Sequence, residues 1–202
     1  MSKEHIDTPA RLVAAMLECA AEHGWRSISL DEVGARAGLS SAETYSLCAD
    51  KAQLLDLFAR WADAASVADA GEVPDDPDAR YDALLDILMQ RFEVLEPYKD
   101  AVAKIVRDVA REPDTLVRIL PQSQRSFMFL ARAAGFPHEG LRGHMFAKAL
   151  SAVWLATQRV WLRDRTDDLS ETMAALDRNL RRAVEMPIIG APELRRAEEH
   201  GE

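Results

Sequence analysis

Two pairs of residues set three apart, Ser29 with Glu32 and Ser40 with Glu43, carry the polar groups whose spacing says most. In each pair the hydroxyl can accept from the amide three residues on, while the carboxylate reaches back to the amide before it. That is the S-x-x-E capping box, and it marks two helix starts close together in the chain. Between them lies Ala37-Gly38-Leu39, where Gly38 can take the left-handed conformation that ends a helix. Residues 29–51 therefore read as two short helices around a tight turn, a helix-turn-helix whose second helix can enter a DNA major groove. On that reading Ser40, Ser41, Glu43, Thr44, Tyr45 and Lys51 meet DNA, because hydroxyls, a phenol and an ammonium can donate to phosphate oxygens and so set the register. Base edges fall to Ser41, Ala42, Glu43 and Ser46, with the carboxylate accepting from a cytosine amino group. The other reading of Glu43 is that it only completes the capping box.

Other chemistry is hard to assemble. The histidines His5, His23, His138, His144 and His200 form no H-x-x-x-H or H-E-x-x-H pair, so no metal is expected. There is no G-x-S-x-G, Walker loop or G-x-G-x-x-G, and the acids are scattered; neither an enzyme nor a cofactor is expected. Cys19 and Cys48 fall in predicted helices, which argues against a disulfide framework and for a reducing cytoplasm. Only Lys51 supplies a cation near Cys48, so the expectation is an unreactive thiol. No apolar run reaches the roughly 18 to 20 residues of a membrane span, and the N-terminus lacks the apolar core of a signal peptide.

Charge limits the DNA reading without removing it. The formal net charge is −9, which does not suit a protein that coats nucleic acid non-specifically. Residues 1–60 hold six cations (Lys3, Arg11, Arg26, Arg36, Lys51, Arg60) against nine acids. A dimer presenting one local basic surface remains compatible with that balance.

The elements around these residues are helical throughout. Hydrophobic residues make up 48% of the 202, Gly and Pro number 9 each, and Ala, Leu, Arg, Asp and Glu dominate. Thr8-Pro9 starts a helix with Leu12, Val13, Met16, Leu17 and Ala20 at helical spacing, and Gly24 ends it. Asp50 can cap a fourth helix that carries Leu54, Leu55, Phe58 and Trp61 and runs past Ala68. Residues 71–78, with two prolines, a glycine and four acids, break the pattern. Tyr81, Leu84, Leu85, Leu88 and Phe92 restart it, and Pro97 stops or kinks it. Residues 101–109 form the next helix, Asp114 caps a short piece, and Pro121 opens a helix to about residue 134. After a Gly135-Phe136-Pro137 turn, residues 144–163 form the longest apolar helix. A polar turn at residues 166–170 precedes a last helix to about Val184, and the tail beyond Pro187 is expected to be loose. The expectation is an all-α chain of about nine helices, divided into residues 1–70 and 71–202.

Met89, Phe92, Phe127, Met128, Met145, Trp154 and Trp161 could line an apolar ligand pocket between helices, or could be plain core. The last two helices are apolar on more than one side, which points to a homodimer through a four-helix interface.

The chain resembles the TetR family of transcriptional regulators. The resemblance rests on Gly38-Leu39-Ser40, Tyr45, and Asp50-Lys51 followed by Leu54-Leu55, with Ala14-Ala15 and Gly24-Trp25 upstream. It departs from the family pattern at Ala42, where a glycine is usual, at Glu43, where a threonine is usual, and at Cys48, where an aromatic is usual. The stretches Trp161-Leu162-Arg163-Asp164 and Thr172-Met173-Ala174-Ala175-Leu176-Asp177-Arg178 are similar to the family's C-terminal region. The resemblance implies a cytoplasmic TetR-like homodimer with an N-terminal helix-turn-helix domain and a ligand-binding and dimerisation domain. It would be a repressor that binds double-stranded operator DNA and leaves it when a small hydrophobic ligand binds. The chain also resembles the TetR-fold lipid- or isoprenoid-binding proteins of ubiquinone synthesis, which do not act as DNA repressors. Glu22-His23-Gly24-Trp25 fits either group, and the acidic head, Glu43 and Cys48 favour the second.

Overall fold

The structure, a computed structural model, describes residues 8–136 and 139–185. The expectations for Lys3 and the N-terminal arm, for Pro137 and His138, and for the tail beyond Pro187 lie outside the described residues. Among the described residues the chain is all-α, with no strand. Nine α-helices follow one another among the described residues: α1 (Thr8–His23), α2 (Leu30–Arg36), α3 (Ser41–Leu47), α4 (Lys51–Ser66), α5 (Pro77–Leu95), α6 (Lys99–Val109), α7 (Pro113–Ala133), α8 (Gly140–Trp161) and α9 (Ser170–Val184). Two 3-10 turns, Trp25–Ser27 and Glu96–Tyr98, complete the list. None of these helices is long and apolar enough to cross a membrane.

The helices form two compact units. The first holds the chain up to Ala62 together with Leu95–Gln122; the second holds Asp63–Val94 and the chain from Ser123 onward. This is not the division at residue 70 that the break at 71–78 suggests. The reason is α6. It buries Ala101, Val102, Ile105 and Val109, and it packs on α1 and the Trp25 turn. In the first unit α1 buries Leu12, Val13, Met16, Leu17 and Ala20, as their spacing requires, and Gly24 ends it at φ +80°. Trp25 then drops into the core at 1% exposure through a 3-10 turn that periodicity alone does not signal.

Two further expectations change. The fourth helix stops at Ser66 instead of passing Ala68. Pro121 does not open a helix; it lies inside α7, which runs unbroken from Pro113. A proline inside a helix deprives the carbonyl four residues back, that of Val117, of its donor. Here Val117 is 68% exposed, so water can serve that carbonyl and the helix continues.

In the second unit α9 packs along α8. Leu84, Leu88 and Phe92 of α5, Leu130 of α7, Leu150 and Trp161 of α8, and Leu176 and Leu180 of α9 are fully enclosed. The turn from α8 into α9 is fixed by Asp164, itself buried. Its carboxylate accepts from the Thr166 amide at 2.9 Å and hydroxyl at 2.5 Å, and from the Thr172 amide at 2.8 Å and hydroxyl at 2.6 Å. Burial pushes this carboxyl up, but the four donors outweigh burial and hold it well below the usual carboxylate range.

Candidate nucleic-acid interface and effector core

The helix-turn-helix is built from the local signals read above. Ser29 caps α2 by accepting from the Glu32 amide at 3.2 Å. Glu32 does not close the expected reciprocal box; its carboxylate stands 3.8 Å from His23 Nε2. The end of α2 is a Schellman motif: Leu39 N–H donates to the Gly34 carbonyl at 2.9 Å and Gly38 N–H to the Ala35 carbonyl at 3.0 Å, with Gly38 at φ +69°. The Arg11 guanidinium of α1 donates to the Ala37 carbonyl and so ties the turn to the first helix. At α3 the box is complete. The Glu43 amide donates to Ser40 Oγ at 3.3 Å, and the Ser40 amide donates back to the Glu43 carboxylate at 2.8 Å. Ser40 Oγ also donates to that carboxylate at 2.6 Å. The geometry therefore gives Glu43 the capping role.

The residues proposed for DNA contact divide into two sets. Ser40, Ser41, Ala42, Glu43, Tyr45 and Ser46 lie exposed on α3 and at its cap. Tyr45 is half exposed, with its hydroxyl 3.5 Å from Asp31, and Ser46 Oγ donates to the Glu43 carbonyl at 2.7 Å. Thr44 is turned the other way. It is 0% exposed, donates its hydroxyl to the Ser40 carbonyl at 3.0 Å, and fills the seam against Gly34 of α2. A Cβ at Gly34 would stand 2.9 Å from Thr44 Cγ2 and 3.0 Å from its Cβ, with the hydroxyl closer still. Lys51 is also committed inward. Its ammonium donates to the Trp25 carbonyl and lies 4.5 Å over the Trp25 ring. Burial pushes its pKa down, against the raising fields of Glu112 and Asp108. Thr44 thus packs α3 against α2, and Lys51 is turned onto Trp25.

Several neighbouring cations are likewise paired. Arg36 meets Glu22 at 2.7 Å, Arg26 meets Glu112 at 3.5 Å, Arg118 meets Asp50, and Lys104 donates to the Ala21 carbonyl. Cys48, the C-cap of α3, is 1% exposed, and burial pushes its thiol up to about 11. It stays a protonated apolar filler in the aromatic's place at neutral pH.

Four of the seven residues proposed for the ligand pocket come together in the second unit. Phe92 stacks on Trp154 with centroids 4.1 Å apart and interplanar angle 11°, and it lies 5.6 Å from Trp161; Phe127 lies 6.2 Å from Trp154. Met89 is buried beside Leu88, while Met128 and Met145 are half-buried. A cavity of about 200 Å³ in this unit is lined by Ser66, Asp69, Glu72, Asp86 and Gln90 among others, and by none of the seven.

The sequence reading missed the polar centre of this cluster. Arg91 is 7% exposed, donates through Nη1 to Asp63 at 3.0 Å and to Ser126 Oγ at 3.1 Å, and Ser126 donates to Asp63 at 2.9 Å. Its guanidinium lies 4.7 Å over the Trp154 ring and 5.5 Å over Phe127. The available signal was a cation three residues after Leu88, on the stripe assigned to the core.

No family model matches the sequence, and no curated protein matches it. Solved structures do. A TetR transcriptional regulator from Nitrosomonas europaea is similar at 18% identity with a TM-score of 0.65, over 88% of this chain and 98% of that one. A TetR transcriptional regulator from Rhodococcus sp. is similar at 19% identity and TM-score 0.61, over 89% and 96%. A TetR-family transcriptional regulator from Streptomyces coelicolor is similar at 15% and 0.56, over 96% and 92%. With both the helix order and these superpositions in hand, the chain has the fold of the TetR transcriptional regulators.

Proposed function

We propose that this protein is a TetR-like transcriptional regulator, a cytoplasmic homodimer that binds double-stranded operator DNA through α3 and releases it when a small apolar ligand enters the second unit. The observation that carries the proposal is the two-sided build of α3. Thr44 and Cys48 anchor it inward, while Ser41, Ala42, Tyr45 and Ser46 are exposed on the outward side. A short helix so held presents hydroxyls and a phenol to a groove without spending its own fold on the contact. The dimer is supported by Leu141 at 80% and Leu155 at 54% exposure, which share a stripe on α8 with exposed Ala152, and by Met173 at 40% on α9. Release is a population shift: a ligand that binds one spacing of the two reading heads better than the other draws the dimer to it. The test is a fluorescence-anisotropy titration with DNA from upstream of the protein's own gene. Saturable, salt-sensitive binding that prefers this DNA supports the reading, and its absence at low salt rules it out.

A second reading has one observation in its favour. Glu43 places a carboxylate at the outward start of α3, where phosphates would come, and the nearby cations Arg36, Arg26 and Arg118 are paired. That suits a TetR-fold lipid- or isoprenoid-binding protein that has given up DNA. Mass spectrometry of an organic extract of the purified protein separates the two, because this reading requires a stoichiometric co-purifying lipid.

A further inference from the structure

The outward side of α3 has a hydrogen-bonding character that its residue types alone do not announce. Four exposed hydroxyls lie on it or at its cap, those of Ser40, Ser41, Tyr45 and Ser46. A hydroxyl ordinarily donates or accepts as its partner demands. Here three of the four protons are turned onto the protein's own acceptors. Ser46 Oγ donates to the Glu43 carbonyl at 2.7 Å, Ser40 Oγ donates to the Glu43 carboxylate at 2.6 Å, and the Tyr45 hydroxyl faces the Asp31 carboxylate at 3.5 Å. What these three groups present to the outside is lone pairs. Residues 41–47 also hold no Lys, Arg, Asn or Gln. The helix therefore has neither the cation that takes guanine O6 and N7 nor the amide that takes adenine N6 and N7 together.

Ala42 and Ser46 narrow the reading further. Both are exposed, and four residues apart on one helix they are neighbours, with roughly 5–6 Å between Cβ atoms. They offer a methyl group with a hydrogen-bond acceptor one turn away. In the major groove of unmethylated DNA the methyl group belongs to thymine, and the donors are the amino groups of adenine and cytosine. Guanine shows only acceptors there, which an oxygen without an outward proton repels. Turning the Ser46 proton outward to meet guanine would give up its 2.7 Å bond to the Glu43 carbonyl. An A·T pair carries a methyl and an amino group on the same groove edge, whereas a G·C pair carries the amino group without the methyl.

We propose that Ala42 and Ser46 together select an A·T pair, Ala42 Cβ packing on the thymine methyl and Ser46 Oγ accepting from the adenine amino group. Ser41 and Tyr45 flank them along the same helix. The assignment rests on the reading that α3 enters operator DNA, and it names what the helix prefers there.

For the test, the unaltered protein selects duplexes from a randomised library at low salt. The recovered site is then measured by fluorescence anisotropy with single-base replacements. Uracil in place of thymine removes only the methyl, and 2-aminopurine in place of adenine takes the amino group out of the major groove. At one pair, uracil is expected to weaken binding about fourfold, the worth of one buried methyl. At the same pair 2-aminopurine is expected to weaken it about fivefold, the worth of one neutral hydrogen bond. In Ala42→Gly the uracil effect disappears while the 2-aminopurine effect remains, and in Ser46→Ala the reverse holds. A merely structural role for either residue would not separate the two effects. The replacements act on the DNA, so the measurement on the unaltered protein stands whether or not a variant folds. Indifference to every uracil, base effects that survive in both variants, or a guanine selected at the pair whose preference the variants alter would overturn the assignment and leave the regulator reading standing. No enrichment of any sequence would remove both.

Discussion

Glu43 is the residue on which the DNA reading turns, because its carboxylate does two things at once. It closes the capping box with Ser40, and it stands exposed where phosphates would approach. Glu43→Gln separates the two roles, since glutamine can also serve as the third residue of a capping box. The expected loss of stability is small, about 0.5 kcal/mol from the helix-start charge. DNA affinity should rise by about fivefold at low salt, as expected when a repulsion of about 1 kcal/mol is removed. Anisotropy titration beside a thermal melt measures both, and unchanged affinity would argue that no phosphate comes near. Gly34 is the opposite kind of residue, silent in chemistry and strict in space. Gly34→Ala drives a methyl into Thr44 and should destabilise the first unit by about 1–3 kcal/mol. Thr44→Ala in the same chain should return part of that loss, a coupling that a double-mutant cycle by urea denaturation reads directly. Glycine at position 34 was not legible as a packing residue, because a missing side chain shows its purpose only once its neighbour across the turn is known.

At the level of elements, most of the helices were written in local signals. The Ser29, Ser40 and Asp50 caps, the left-handed Gly38 and the apolar stripe of α1 all act within a few residues, and each formed where the spacing placed it. What escaped were features decided by distant partners. The continuity of α7 through Pro121 depends on solvent reaching the Val117 carbonyl, and the inward turn of Lys51 depends on the Trp25 carbonyl, 26 residues away. Asp164 is a case where local and tertiary signals coincide, and it sets a pH dependence. Its folded pKa lies below the unfolded value of about 4, so its stabilisation is present above pH 4 and disappears as pH falls toward its folded value. Asp164→Asn should therefore cost about 2 kcal/mol at pH 7, and less at pH 3. Urea midpoints of both proteins at the two pH values measure this; an equal cost at both would remove the carboxylate from the account.

For the molecule as a whole, the class of fold was legible, and which helices pack together was not. The break at residues 71–78 is a real interruption of helix, yet α6 packs with α1, so the first unit draws on two separated stretches of chain. Proline and glycine mark where a helix stops; they do not say which helices share a core. The candidate site shows the same limit. On α3 the spacing did not tell exposed Ser41, Ala42, Tyr45 and Ser46 from buried Thr44, and the burial of Arg91 against Asp63 requires three helices to be brought together. The exposed α8 stripe bears on assembly. Leu155→Arg should convert the proposed dimer to a monomer with its helix content intact, as light scattering and circular dichroism would show. An unchanged mass would place the interface elsewhere.

The most direct measurement is the affinity for the protein's own upstream DNA and for a shuffled duplex of equal length, taken across salt. A Ser41→Ala, Tyr45→Ala variant is carried beside the unaltered protein. A regulator of this kind binds the upstream DNA more tightly, loses affinity steeply with salt because of phosphate contacts, and loses the preference in the variant at unchanged thermal stability. Equal affinity for the two duplexes, or no binding to either at low salt, would contradict it.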